Sequence, residues 1–237
     1  MSPTEPGMLL PEHRGRIEKA LLELEKRDAD DRWQHLDTYY ANFRARFGPE
    51  VLASLNGVAL LERMHKREGQ NCLMYWLEFK NDEELPALFG SIAGGSALKF
   101  GIYQKAATGQ WMRFSSEQRS GAPVSIDDAV AFATEQRDHL VAGCKALEGL
   151  PVEATDAEYL EIQNYMDVYV RDAGAWSWGH KYFHMMFPDK LDDFHNEDFQ
   201  RLYLVKLLSS LRRRRGGTSA RRRPGQGAKL AKGGPAE

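Results

Sequence analysis

The residues with the most reactive side chains are concentrated between positions 180 and 195. His180 and His184 are four residues apart on a predicted helix, and they are followed by Asp189, Asp192, Asp193 and His195. Two histidines one turn apart can ligate a metal ion together, and a carboxylate can complete the site. This chemistry would suit a metal-dependent nuclease or hydrolase, which we keep as an alternative function.

The same two histidines also have a structural interpretation, which we favour. The HExxH pattern of a catalytic zinc helix is missing, because Lys181 follows His180. A lysine ammonium group beside a ligand position opposes metal binding. We therefore interpret His180 and His184 as packing residues, and we assign no catalytic residue, no metal ligand and no cofactor to this chain.

A second group of residues could bind nucleic acid from a predicted hairpin. The basic and aromatic side chains of this group are Lys99, Tyr103, Lys105, Trp111 and Arg113. Lys99, Tyr103 and Lys105 share one strand parity, opposite to the apolar residues between them. Such a face can pair with phosphates and stack on bases. An ordinary solvated face is the alternative interpretation.

The aromatic segment 176–183 offers two further candidates, Trp178 and Lys181. If they are exposed, an indole can stack on a base and an ammonium group can pair with a phosphate. If they are buried, the segment is a packed corner of the core, and this is the usual fate of aromatic residues at helical spacing. We favour packing for most of these aromatic residues and keep Trp178 and Lys181 as candidate nucleic-acid-binding residues.

The signatures of nucleotide hydrolysis and of nucleophilic catalysis are missing from the sequence. The glycine cluster Gly90–Ser96 lacks the GxxxxGK[ST] order of a phosphate-binding loop and precedes a predicted strand, so we interpret it as a connection. The sequence contains no GxSxG motif, and neither Cys72 nor Cys144 has a histidine next to it. These observations argue against an enzyme without excluding one.

Composition and charge predict an intracellular globular protein with a basic tail. The 237 residues are 42% hydrophobic and 28% charged, which is ordinary for a globular domain. Two cysteines, no leader-like start and no long apolar run favour the cytoplasm and exclude a membrane span. Residues 1–210 carry a net charge of about −10, whereas residues 211–237 carry about +8. Binding of nucleic acid by the body therefore requires a local basic patch.

Periodicity and turn signals predict an α+β fold, a small antiparallel sheet packed against several helices. A continuous apolar run predicts a central strand over Cys72–Phe79, and a hairpin follows with strands at Leu98–Tyr103 and Trp111–Phe114. The other predicted elements are helices, over residues 12–47 with a break at Gly48-Pro49, Val58–His65, Ser125–Gly149, Tyr159–Val170 with a Thr155/Glu158 capping box, Trp178–Phe187 and Asn196–Leu208. We expect a flexible terminus at 1–11, one domain at 12–210 and a disordered Arg/Gly-rich tail at 211–237.

Four strings in the sequence resemble a known family. They are YWLEFKN at Tyr75–Asn81, FGSIAGGSALKFGIY at Phe89–Tyr103, HKYF at His180–Phe183 and PDKLDDFH at Pro188–His195. In this order they resemble the N-terminal region of McrB-like AAA-family ATPases, prokaryotic proteins that restrict modified DNA. The resemblance covers residues 10–208.

This resemblance implies a non-catalytic recognition or regulatory module that contacts DNA or a McrC-type nuclease subunit. The chain departs from the family because it has no Walker motif and continues into an Arg/Gly/Ala/Pro tail. A truncated or frameshifted gene end is one hypothesis for the tail, and a basic arm is the other. A purely structural interaction domain remains a further alternative.

Overall fold

The computed structural model describes residues 14–19, 22, 32–66, 68, 70–80, 100–115, 120–171, 173, 177–192, 200–203 and 205–206. Several predictions fall outside these residues. They concern the N-terminal segment 1–11, the glycine cluster, Lys99, the proposed cap Asn196 and the tail 211–237.

The helix predicted over residues 12–47 is confirmed in its described parts, because residues 14–19 and 22 are helical and helix α1 spans Arg32–Phe47. Helix α2 spans Pro49–Ser54, and α3 spans Gly57–His65. Pro49 occupies the first turn of α2, where its missing N–H costs nothing. The break predicted at Gly48-Pro49 is therefore confirmed.

The segment predicted as a central strand is helical, so that prediction was wrong. Helix α4 spans Leu73–Tyr75, and a π-helical turn follows over Trp76–Lys80. The Cys72 thiol acts as the N-cap of α4, because its Sγ atom accepts the Tyr75 N–H at 3.3 Å. Every residue from position 72 to 78 is buried. A short run that is buried on all sides has no polar side to reveal its period, so a buried helix and a buried strand look alike in sequence.

The predicted hairpin is confirmed and belongs to a three-stranded antiparallel sheet. Strand β1 spans Ile102–Gln104, β2 spans Trp111–Ser115 and β3 spans Ser120–Pro123, in the order β1-β2-β3. Gly109 adopts a φ of 68° in the connecting turn, a conformation that favours glycine. Strand β3 was not predicted, because its residues Ser-Gly-Ala-Pro include no β-branched or aromatic residue.

Three longer helices complete the fold, and their predicted caps are confirmed. Helix α5 spans Ile126–Glu148, α6 spans Asp156–Tyr169 and α7 spans Ser177–Met186. The Ser125 hydroxyl accepts the N–H of Asp128, and Thr155 and Glu158 form a reciprocal capping box. Helix α7 ends two residues before Pro188, as expected for a residue that cannot continue a helix.

Helix α5 is the centre of the core. It packs against α2, α3, α6, α7 and β2, while α7 also contacts α1 and the π-helical turn. The fold is therefore α+β, as predicted: mostly helical, with a small antiparallel sheet. None of the helices in the described ranges combines the length and the apolar composition that a bilayer span requires.

Gly179 allows the closest approach in this core. A Cβ atom at this position would overlap the backbone carbonyl of Ala173, whereas a Cβ at Gly149 would lie 3.5 Å from the nearest backbone oxygen. Neither glycine has a positive φ, so the two positions differ only in the space available for a Cβ atom.

We predict that Gly179→Ala destabilises the protein by about 3 kcal/mol, the upper part of the overpacking range, because backbone must move. Gly149→Ala is the matched control and should change the free energy of unfolding by less than about 0.5 kcal/mol. Urea denaturation measures both. Equal effects of the two substitutions would contradict the close packing of α7.

Candidate functional site

The hairpin distributes its candidate nucleic-acid-binding residues over two faces. Arg113 pairs with Ile102 across the strands, and Tyr103 pairs with Met112. Directly opposed residues share a face, and neighbours along a strand alternate. Trp111 and Arg113 therefore lie on one face of the sheet, and Tyr103 lies on the other.

The face that carries Trp111 and Arg113 is turned toward α5. Trp111 is 7% exposed and belongs to the core. The Arg113 guanidinium lies 4.6 Å from the ring centroid of Phe132 on α5. Lys105 is exposed in the turn between β1 and β2, and Tyr103 packs against Gly121 of β3. The structure therefore does not bring these residues together as one basic-aromatic platform, and Lys99 lies outside the described residues.

The two candidates on α7 are inside the protein. Trp178 is 1% exposed, and its ring stacks on Phe100 with centroids 4.9 Å apart and planes at 29°. Lys181 is 4% exposed. A nucleobase could reach Trp178 only if that side chain left the core, which would cost about 3–5 kcal/mol. The packing interpretation of this helix is the one that the geometry supports.

His184 uses both ring nitrogens in structural hydrogen bonds. Its Nδ1 atom is 2.7 Å from the carbonyl oxygen of Leu191, so Nδ1 carries the proton and donates it. Its Nε2 atom then accepts the Tyr40 hydroxyl at 3.1 Å. The lone pair that a metal would need is therefore occupied by Tyr40.

His180 bonds to the same turn after α7. Its Nε2 atom lies 2.8 Å from the Asp192 carbonyl oxygen and 3.7 Å from that residue's carboxylate. The Gln200 amide also donates to the Asp192 carboxylate. Within the described ranges, no three His, Cys, Asp or Glu side chains are grouped as metal ligands, while Asp193 and His195 lie outside those ranges. The two histidines thus fasten the 187–192 turn onto α7.

A buried polar cluster joins α3, α5 and the start of the sheet. The Gln136 amide donates to the Phe100 carbonyl oxygen at 3.0 Å, and the Phe100 ring lies edge-on to His65 at 6.3 Å. His65 is 1% exposed, and neither of its nitrogens makes a hydrogen bond of good distance and angle with the described residues, although the Gln136 side chain lies close enough to favour the protonated ring in part. Burial lowers the pKa of His65 to about 4, and Gln136 offsets only part of this effect. His65 is therefore neutral in the folded protein near pH 7.

The surface feature that the sequence analysis missed is an apolar stripe on α6. Tyr165, Val168 and Tyr169 are 37%, 54% and 60% exposed, although Met166, the residue next to Tyr165, is buried. The rings of Tyr165 and Tyr169 lie 4.8 Å apart. Their spacing of i, i+3 and i+4 places them on one face. The sequence contains one indication of this stripe, because α6 has more apolar residues than a single core-facing stripe requires.

The charge on α6 has a single sign. The helix contains Asp156, Glu158, Glu161 and Asp167, and its sequence contains no lysine or arginine. The α6 stripe is thus an exposed aromatic and aliphatic surface in an acidic surrounding. Exposed apolar patches with a polar rim are typical of protein–protein contacts.

We predict that acid destabilises the protein through His65. Its pKa of about 4 lies below the 6.5 of an unfolded histidine, so the unfolded state gains the proton first as the pH falls. The free energy of unfolding therefore decreases progressively as the pH falls from 6.5 to 4, by about 3 kcal/mol in total. Urea denaturation across this range should show a flatter profile for His65→Leu. The control Met64→Leu, a volume-conserving change at the buried neighbour of His65, should keep the wild-type pH dependence, and an unchanged profile in His65→Leu would contradict the assignment.

No family model, no curated protein and no solved structure matches this chain. The resemblance to McrB-like ATPases therefore stays a prediction that rests on the four strings quoted above.

Proposed function

We propose that this chain is a non-catalytic recognition or regulatory module of a McrB-like restriction ATPase, and that it acts by contacting a partner subunit. The observation that carries the proposal is the α6 stripe, where Tyr165, Val168 and Tyr169 are exposed together. Tyrosine is enriched at the energetic centres of protein interfaces because it contributes a large rigid surface with a polar end. The family resemblance supplies the candidate partner, a McrC-type nuclease subunit.

Charge favours a protein partner over DNA. Residues 1–210 carry a net charge of about −10, and this total includes the carboxylate of Glu161, one helical turn before Tyr165 of the stripe. A phosphate backbone would be repelled by this face. The exposed cations of the hairpin, Lys105 and Arg113, remain the local alternative for contact with DNA.

The chemistry of the interior supports a non-catalytic function. The two histidines considered as metal ligands make structural hydrogen bonds instead. His184 bonds to Tyr40 and Leu191, and His180 bonds to Asp192. The Cys144 thiol is buried, and burial raises its pKa to about 12. A thiol with such a pKa stays protonated and is a poor nucleophile.

We predict that Val168→Asp weakens binding of the McrC-type subunit at least about tenfold, equivalent to about 1.4 kcal/mol. The substitution places a charge in the middle of the α6 stripe, where desolvating it on binding is costly. The matched control is Val58→Asp, because Val58 is 49% exposed on α3. Isothermal titration calorimetry gives both affinities, and thermal melts should show that both variants fold.

Two outcomes would count against the proposal. Equal affinities of Val168→Asp and the wild type would remove the α6 stripe from the contact. DNA binding by residues 1–210 that is lost in Lys105→Glu with Arg113→Glu, together with no binding of the subunit, would make the hairpin the functional surface instead.

A further inference from the structure

A cavity of about 560 Å³ opens at the place where three helices end. Helix α1 ends at Phe47, α5 at Glu148 and α7 at Met186, and residues from all three ends line it. The volume is within the range of ligand pockets in proteins, about 300–1,000 Å³. We call this cavity the helix-end pocket.

The wall of the helix-end pocket is largely apolar. Val51 on α2, Val152 in the α5–α6 connection and Met186, Phe187 and Pro188 after α7 contribute to it. Val152 is 74% exposed, which is unusual for a valine in a folded domain. A partner that covers Val152 would remove this apolar surface from water.

The exposed charges of the pocket are mostly negative. The helix ends contribute little to this, because the Phe47, Leu147 and Glu148 carbonyl oxygens accept hydrogen bonds from Tyr182 and Lys190, and because the start of α2 at Pro49 lines the pocket with the opposite partial charge. The exposed carboxylates of Glu50, Glu148 and Asp189 surround the opening. These three carboxylates are therefore the main source of its negative charge.

The cations of the pocket only partly offset this charge. The Lys190 ammonium donates to the Leu147 carbonyl oxygen at 2.7 Å and to the Glu148 carbonyl oxygen at 3.3 Å. It therefore satisfies the end of α5 and is held away from other partners. Arg44 is the one fully exposed cation among the residues that line the pocket.

We infer that the helix-end pocket is a docking site for an extended partner segment in which an apolar side chain is flanked by lysine or arginine. The apolar side chain fills the space beside Val152 and Phe187, and the flanking cations pair with Glu50, Glu148 and Asp189. An acidic segment or a nucleic acid is disfavoured, because its charge would meet the exposed carboxylates of Glu50, Glu148 and Asp189. The inference rests on the proposed function, since it specifies the chemistry of the partner.

The pocket is joined to the start of α6. The Tyr159 hydroxyl donates to the Lys190 carbonyl oxygen at 2.9 Å, and Lys190 lines the pocket. The α6 stripe begins six residues after Tyr159, about 9 Å along the helix axis, so the pocket and the stripe are separate contacts that one partner could reach only by extending along α6.

The test uses two fluorescein-labelled peptides of equal length, one with a Lys-Leu-Lys centre and one with a Glu-Leu-Glu centre. Fluorescence anisotropy with the full chain measures the affinity of each peptide. The basic peptide should bind and the acidic peptide should not. Val152→Arg should weaken binding of the basic peptide at least about tenfold, because the arginine fills the entrance of the helix-end pocket and repels the peptide's lysines.

Matched variants separate the pocket from general charge attraction. Val58→Arg adds the same charge at a valine that is 49% exposed on α3, and it should leave the affinity nearly unchanged. Glu148→Gln should weaken binding by a smaller factor and reduce its salt dependence. Equal losses in Val152→Arg and Val58→Arg, or equal binding of the two peptides, would overturn the inference.

The same variants distinguish failure of the pocket from failure of the proposed function. If the McrC-type subunit binds and depends on Val168 but not on Val152, the pocket inference fails and the proposed function stands. If the basic peptide depends on Val152 while no subunit binds, the pocket inference stands and the proposed function fails.

Discussion

Three helices end at one place in this protein, and their last carbonyl groups need donors there. At the end of α1 the donor is Tyr182, whose hydroxyl lies 2.9 Å from the Phe47 carbonyl oxygen in a fully buried position. Burial raises the pKa of Tyr182 well above its ordinary value, so the hydroxyl remains a donor. Lys190 supplies the donor at the end of α5. Because an unsatisfied buried carbonyl costs about 1–3 kcal/mol, these side chains determine where the helices can stop.

The surface beside these helix ends is rich in carboxylates. Glu50, Glu148 and Asp189 line the helix-end pocket. Helix α6 follows, with Glu161 one turn before an exposed pair of tyrosines. The polar residues that could have been catalytic are used to fasten the turn after α7, as His180 and His184 do through Asp192 and Leu191. The chemistry is thus mostly structural, and the surface is left for recognition.

Local signals in the sequence predicted most of the element boundaries. Ser125, Thr155 with Glu158, and Pro49 act through neighbours within four residues, so their effects can be deduced without the fold. The prediction of a strand at Cys72–Phe79 failed because burial on all sides hides the helical period. The burial of Trp178 and the helix-end pocket depend on contacts between distant parts of the chain, such as residues 44, 148 and 187. No local pattern encodes such contacts.

The central claim is that this acidic, partly apolar face binds a basic partner subunit. A titration of methyl-labelled protein with the McrC-type subunit, followed by NMR, tests it most directly. The account predicts that the signals of Val152, Val168 and Met186 shift or broaden together while that of Val58 stays unchanged. Perturbations confined to Met112 beside the hairpin, with Val152 and Val168 unaffected, would contradict it.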